Sequence, residues 1–102
     1  MRANVPLART ASQTLYLMIT KDQTGHDWIA ASNNDKQEYV QRKCAGAKQE
    51  SLGSADPLSV AGAIDEFFAF PGNRANTVSI AFGLMFTAIS GGHDYKKLLP
   101  PT

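Results

Sequence analysis

The sequence predicts an all-α protein, with four to five short helices packed around a central apolar helix. Three observations carry that prediction. Several segments open on a helix start signal and continue with apolar residues at helical spacing. Pro-Gly and Gly-Gly pairs stand where those segments should stop. One short run, Leu15 to Ile19, would pass as a strand, but no second convincing strand is present to pair with it. The 102 residues fall within the usual range of one domain. Residues 1–102 therefore read as one helical domain with loose segments at about 1–13 and 93–102.

The elements follow in order. Leu7, Ala11, Leu15 and Met18 or Ile19 recur at helical spacing. Thr24 and Asp27 make a T-x-x-D start for a short helix carrying Trp28 and Ile29. Ser32 and Asp35 repeat the signal for a longer helix to about Lys48, with Tyr39, Val40, Cys44 and Ala47 on one face. Trp28 and Tyr39 are expected to share a core face. After a polar loop, Asp56-Pro57 opens a third helix, because proline at the first helical position loses only an N–H that had no partner. Its apolar side is Val60, Ala61, Ile64, Phe67 and Phe68. Asp65 and Glu66 point away as a solvated surface, and Pro71-Gly72 ends the helix. Asn73 or Asn76 is expected to cap the last helix, from about Thr77 to the Gly91-Gly92 stop. Val78, Ala81, Phe82, Met85 and Ile89 form its main face, Ile80 and Leu84 a second flank, and Ser79, Gly83 and Thr87 a wedge of small residues. Apolar nearly all round, this helix is expected at the centre.

Composition narrows the function classes. The chain is 43% hydrophobic and 19% charged, as ordinary globular proteins are. A net charge of +1 without a basic stripe argues against nucleic acid as the partner. The cluster Arg42, Lys43 and Lys48 is relieved by Glu38 and Glu50 and reads as a solvated helix face. Cys44 is the sole cysteine, so neither an intrachain disulfide nor a cysteine zinc site is available, and it reads as packing. The longest apolar stretch, Val78 to Ile89, is too short for a membrane span. No signal peptide is visible, and the chain as written reads as cytoplasmic, or as periplasmic if a leader has been removed.

Chemistry finds few candidates. A tripeptide recurs, Gly25-His26-Asp27 and Gly92-His93-Asp94, and two His with two Asp are ligands for a divalent metal if the two places meet. His26 and Asp27 are adjacent, however, without the i, i+3 or i+4 spacing that converges on a helix. Asp27 is also explained as a cap residue. There is no G-x-S-x-G elbow and no Gly-rich loop opening a helix for a phosphate, so no cofactor is expected. The aromatic set Phe67, Phe68, Phe70, Phe82 and Phe86 reads as core.

The run Thr24 to Trp28 with Ser32, Lys36, Tyr39 and Val40, followed by Ile64 to Arg74, resembles a group of small bacterial proteins. That group carries a "W…S…K..YV" helix and an "ID.FFA.P..R" helix end. In layout it is similar to the helical immunity proteins that inhibit peptidoglycan amidase effectors of type VI secretion. The resemblance covers about residues 24–92 and implies a helical protein that binds a toxin and catalyses nothing. The sequence departs from those immunity proteins in having one cysteine where they commonly have a pair, and in showing no leader.

The reading that results is a non-enzymatic protein that works by protein–protein binding, with toxin neutralisation as its specific form. The alternative is a small metal-dependent or hydrolytic enzyme using His26, Asp27, His93 and Asp94. Candidate partner contacts are Ile80 and Leu84, and Trp28 where it reaches the surface. The apolar flank and small-residue wedge of the last helix need cover. Either Leu15 to Ile19 supplies it, or a second copy does, as a two-fold homodimer.

Overall fold

The computed structural model describes Ile19 and residues 22–99. The expectations for residues 1–13, for the run before Ile19 and for the last three residues lie outside the described residues. Among the described residues four α-helices follow in order: α1 (Gly25–Ala30), α2 (Asn33–Gln49), α3 (Pro57–Ala69) and α4 (Val78–Ser90). Short 3-10 turns stand at Pro71–Asn73 and Tyr95–Leu98. No strand occurs among the described residues, and the all-α class stands as the sequence has it.

Local signals place three of the helix starts. Asp27 accepts a hydrogen bond from the Thr24 backbone N–H (3.1 Å), Ser32 Oγ accepts from Asp35 N–H (3.1 Å), and the Asp56 carboxylate accepts from Ser59 N–H (3.1 Å). Each bond satisfies a backbone donor that a helix or its cap would otherwise leave unpaired. The start of α4 differs from the expectation. Thr77, not Asn73 or Asn76, is its cap, with Oγ1 accepting from Ile80 N–H at 3.2 Å. Asn73 is turned back on α3, where its side-chain amide donates to Phe67 C=O (2.9 Å). Arg74 donates to Phe68 C=O (2.8 Å) and Ala69 C=O (3.2 Å). These bonds satisfy carbonyls that the last turn of α3 leaves open.

The centre of the fold is α3 rather than the Thr77–Ser90 helix favoured on hydrophobicity. α3 packs against α1, α2, α4 and the Pro71–Asn73 turn, and buries Val60, Ala61, Ala63, Ile64, Phe67 and Phe68. α4 buries Val78, Ala81, Met85, Phe86 and Ala88 but leaves Ser79, Ile80, Gly83, Leu84 and Thr87 exposed. A helix can carry no charge and still be peripheral when its outer wedge is built of small and hydroxylic residues.

Trp28 links the small first helix to this core. It is 0% exposed, stands edge-on to Tyr39 at 6.3 Å and lies 6.5 Å from Phe68, so Trp28 and Tyr39 share a core face as predicted. Ile19, also buried, joins the same cluster.

The exits of α2 and α4 each close through a left-handed residue. After α4, Gly92 (φ 77°) is followed by His93 N–H bonding to Ala88 C=O (2.8 Å), while Gly92 N–H bonds to Ile89 C=O. After α2 the same pair of bonds, Leu52 N–H to Ala47 C=O and Ser51 N–H to Lys48 C=O, places Ser51 at φ 60°. A left-handed conformation costs an L-residue about 1–2 kcal/mol. Glycine removes that cost but returns about 0.4–1 kcal/mol through its freer unfolded chain. Ser51→Gly is therefore expected to raise stability by about 0.5–1 kcal/mol, read as a higher urea midpoint at an unchanged slope.

Candidate protein-binding face

The residues singled out for chemistry are not gathered by the fold. His26, Asp27, His93 and Asp94 are all exposed, and among the described residues no three His, Cys, Asp or Glu side chains are placed to hold a metal ion. The two Gly-His-Asp copies serve different local purposes. In the first, Gly25 sits where the backbone meets Phe68 and Arg74, and Asp27 caps α1. In the second, Gly92 takes the left-handed position, and Asp94 accepts from Lys96 N–H (3.0 Å) at the start of the last turn.

Asp65 and Glu66 are exposed, as expected, and each also makes a contact to another element. Asp65 accepts from Trp28 Nε1 (2.7 Å) and pairs with Lys36 Nζ (3.3 Å), whose own ammonium lies 5.6 Å from the Trp28 ring centre. Glu66 accepts a 2.5 Å hydrogen bond from the Tyr95 hydroxyl. That bond, with burial and the negative charges of Glu66 and Asp94 behind it, pushes the Tyr95 phenol up to about 12. The bond also ties part of the supposed C-terminal tail to α3. Tyr95 and Leu99 pack partly buried against the core. None of these contacts is readable locally, since each joins residues from different elements.

Cys44 is buried, and burial, then the charge of Asp56, pushes its thiol up. Neighbouring Arg42 and Lys43 do not make it a thiolate nucleophile, because the thiol form is the one this setting favours. Their cationic ends lie instead 5.7 Å from the Tyr39 ring centre. Tyr39 is 1% exposed, and its hydroxyl has no hydrogen-bond partner among the described residues.

Of the three candidate contacts, Trp28 is withdrawn from the surface and belongs to the core. Ile80 (50% exposed) and Leu84 (41%) remain outside. The small-residue wedge and the apolar flank, separate in the sequence reading, form one face: at 100° per residue Ser79, Gly83, Thr87, Ile80 and Leu84 fall on one continuous arc. All five are exposed, and no residue of α4 is charged. Such a face offers methyl groups and, at Gly83, a backbone open to close approach. Its only polar side chains are the hydroxyls of Ser79 and Thr87.

Comparison with protein-family models, curated proteins and solved structures finds no match for this chain. The residues carrying the resemblance to immunity-like proteins, Trp28, Lys36, Tyr39, Asp65, Phe68 and Arg74, bond and pack with one another or with the end of α3. They specify how helices meet.

Proposed function

We propose that this chain is a non-catalytic protein-binding domain that meets its partner through the outer face of α4. The observation that carries the reading is the exposure of Ile80 and Leu84 on a helix without charge. Scattered apolar side chains are ordinary on a surface, whereas a contiguous apolar face marks a contact site. Its specific form is toxin neutralisation, suggested by the resemblance alone, with a peptidoglycan amidase encoded beside this chain as the expected partner and loss of amidase activity as the readout.

The test compares the wild type with Leu84→Glu. The neighbouring gene product, or a protein captured from the source organism and then purified, is titrated calorimetrically against both. Binding to the wild type is expected, with at least a tenfold loss for Leu84→Glu at unchanged helicity, since position 84 is outside the core. Equal binding by both moves the interface off α4. Sedimentation equilibrium distinguishes the homodimer: self-association that Leu84→Glu abolishes makes the second copy the partner.

A further inference from the structure

An open groove of about 450 Å³ runs along α2 on the side facing Phe82 of α4, lined by Arg42, Lys43, Gly46, Ala47, Leu52 and Phe82. Its walls are more apolar than two cations suggest. Ala47 and Phe82 pack half-buried against the core, and Leu52 is 68% exposed. Gly46 has open space where a side chain would be. Lys43 and Arg42 turn their cations toward the Tyr39 ring.

The chain itself leads to this groove. Gln23 C=O accepts from Val78 N–H (2.7 Å), at the first turn of α4. Four residues earlier Ile19 is buried, and its C=O accepts from the Arg42 guanidinium (3.4 Å) at the groove's edge. From Gln23 at the start of α4 to Ile19 at Arg42, the chain leads to a residue of the groove's wall. We propose that the groove is the docking site of this chain's own residues 7–18.

The chemistry of that segment fits. Leu15 to Met18 is apolar or aromatic throughout, and Leu7, Ala11, Leu15 and Met18 are spaced to share a helical face. Residues 10–19 carry no charge, so nothing next to Arg42 and Lys43 is repelled. The first charge met is Arg9, ten residues before Ile19 in the sequence. Glu50, at the far end of the same groove, is about 12 Å along α2 from Arg42 at helical rise. The uncharged stretch therefore suits the apolar wall, and Arg9 is opposite in charge to Glu50. A segment seated here leaves the outer face of α4 open, because Ile80 and Phe82, two residues apart, point to nearly opposite sides of the helix.

Full-length chains with Cys44→Ala and paired cysteines test this by mild oxidation. One chain carries Leu15→Cys with Ala47→Cys, the other Leu15→Cys with Ile80→Cys. The 15–47 pair is expected to close within one chain at least tenfold faster than the 15–80 pair, read by mass and by non-reducing electrophoresis. Faster closure of 15–80 means that the segment covers α4's outer face, and a crosslinked dimer means that a second copy fills the groove. Either result, or no closure at 47, overturns the proposal. Leu15→Asp in the otherwise native chain gives a cysteine-free readout: it is expected to lower the urea midpoint, and an unchanged midpoint counts equally against docking.

Discussion

Trp28→Ala is expected to destabilise the protein by about 3–5 kcal/mol, the range for truncating a buried large aromatic. Two terms contribute, and their sizes decide how the loss arises. The indole is fully buried between Tyr39 and Phe68, so its removal leaves a cavity in the wall where α1, α2 and α3 meet. The Nε1–H bond to Asp65 is also lost, but Asp65 keeps Lys36 and is half exposed, so water takes the vacated place. An acceptor that can be rehydrated costs far less than one stranded in the core. The cavity therefore dominates. Trp28→Phe separates the terms: it fills most of the space without the donor and should lose about 1–2 kcal/mol, the scale of one hydrogen bond to a charged group with some packing. Both losses are read from urea unfolding followed by circular dichroism, because Trp28 is the sole tryptophan and its fluorescence vanishes with it. A domain of this kind holds about 5–15 kcal/mol in all, so the alanine variant should lie close to unfolding at 37 °C. A loss below about 1 kcal/mol for alanine would put the ring at the surface and return Trp28 to the candidate contacts.

The features legible in the sequence are those decided within a few residues. Thr24–Asp27, Ser32–Asp35 and Asp56-Pro57 each announce a helix start through groups three residues apart or fewer, and the fold uses all three. The cap of α4 was harder because Asn73, Asn76 and Thr77 all qualify chemically. The selection is made from afar: Thr24 pairs with Thr77 in an isolated antiparallel bridge, and Gln23 C=O takes the N–H of Val78. The identity of the central helix was obscured for a related reason. Apolar content ranks α4 highest, yet the centre must offer neighbours on several sides, and α3 does so with Ala61 and Ala63 between its large residues. The partners of Asp65 and Glu66 lie 37 and 29 residues away, beyond the reach of any helical period. At the candidate site, exposure of Ile80 and Leu84 followed from their place outside the main face. Their union with Ser79, Gly83 and Thr87 follows from the helical period alone, whereas the exposure of the whole arc needed the packing of α4 on α3.

Gly25→Ala should be nearly as damaging as loss of the tryptophan, although it adds only one methyl group. Gly25 does not need glycine for its backbone angles; what it needs is the missing side chain. A Cβ there would stand 2.3 and 2.6 Å from two ring carbons of Phe68 and 2.9 Å from Arg74 Cα. Neither neighbour can yield cheaply. Phe68 is 0% exposed and wedged between Phe67 and Trp28. Arg74 is tied by its side chain to the end of α3, and its carbonyl, with that of Asn76, accepts from Gly25 N–H itself. Shifting α1 outward to make room would stretch those bonds and lift Trp28 from its socket. Helix propensity favours alanine by at most about 1 kcal/mol, whereas overpacking of this severity costs about 3 kcal/mol or more. The net expectation is a loss of about 2–3 kcal/mol. Gly62→Ala is the matched control: it makes the same chemical change inside α3, where a Cβ meets nothing within 4 Å, and should instead gain about 0.5–1 kcal/mol. The two urea midpoints should move in opposite directions. Parallel shifts would mean that α1 does not approach α3 as closely as described, and the socket for Trp28 would have to be redrawn with it.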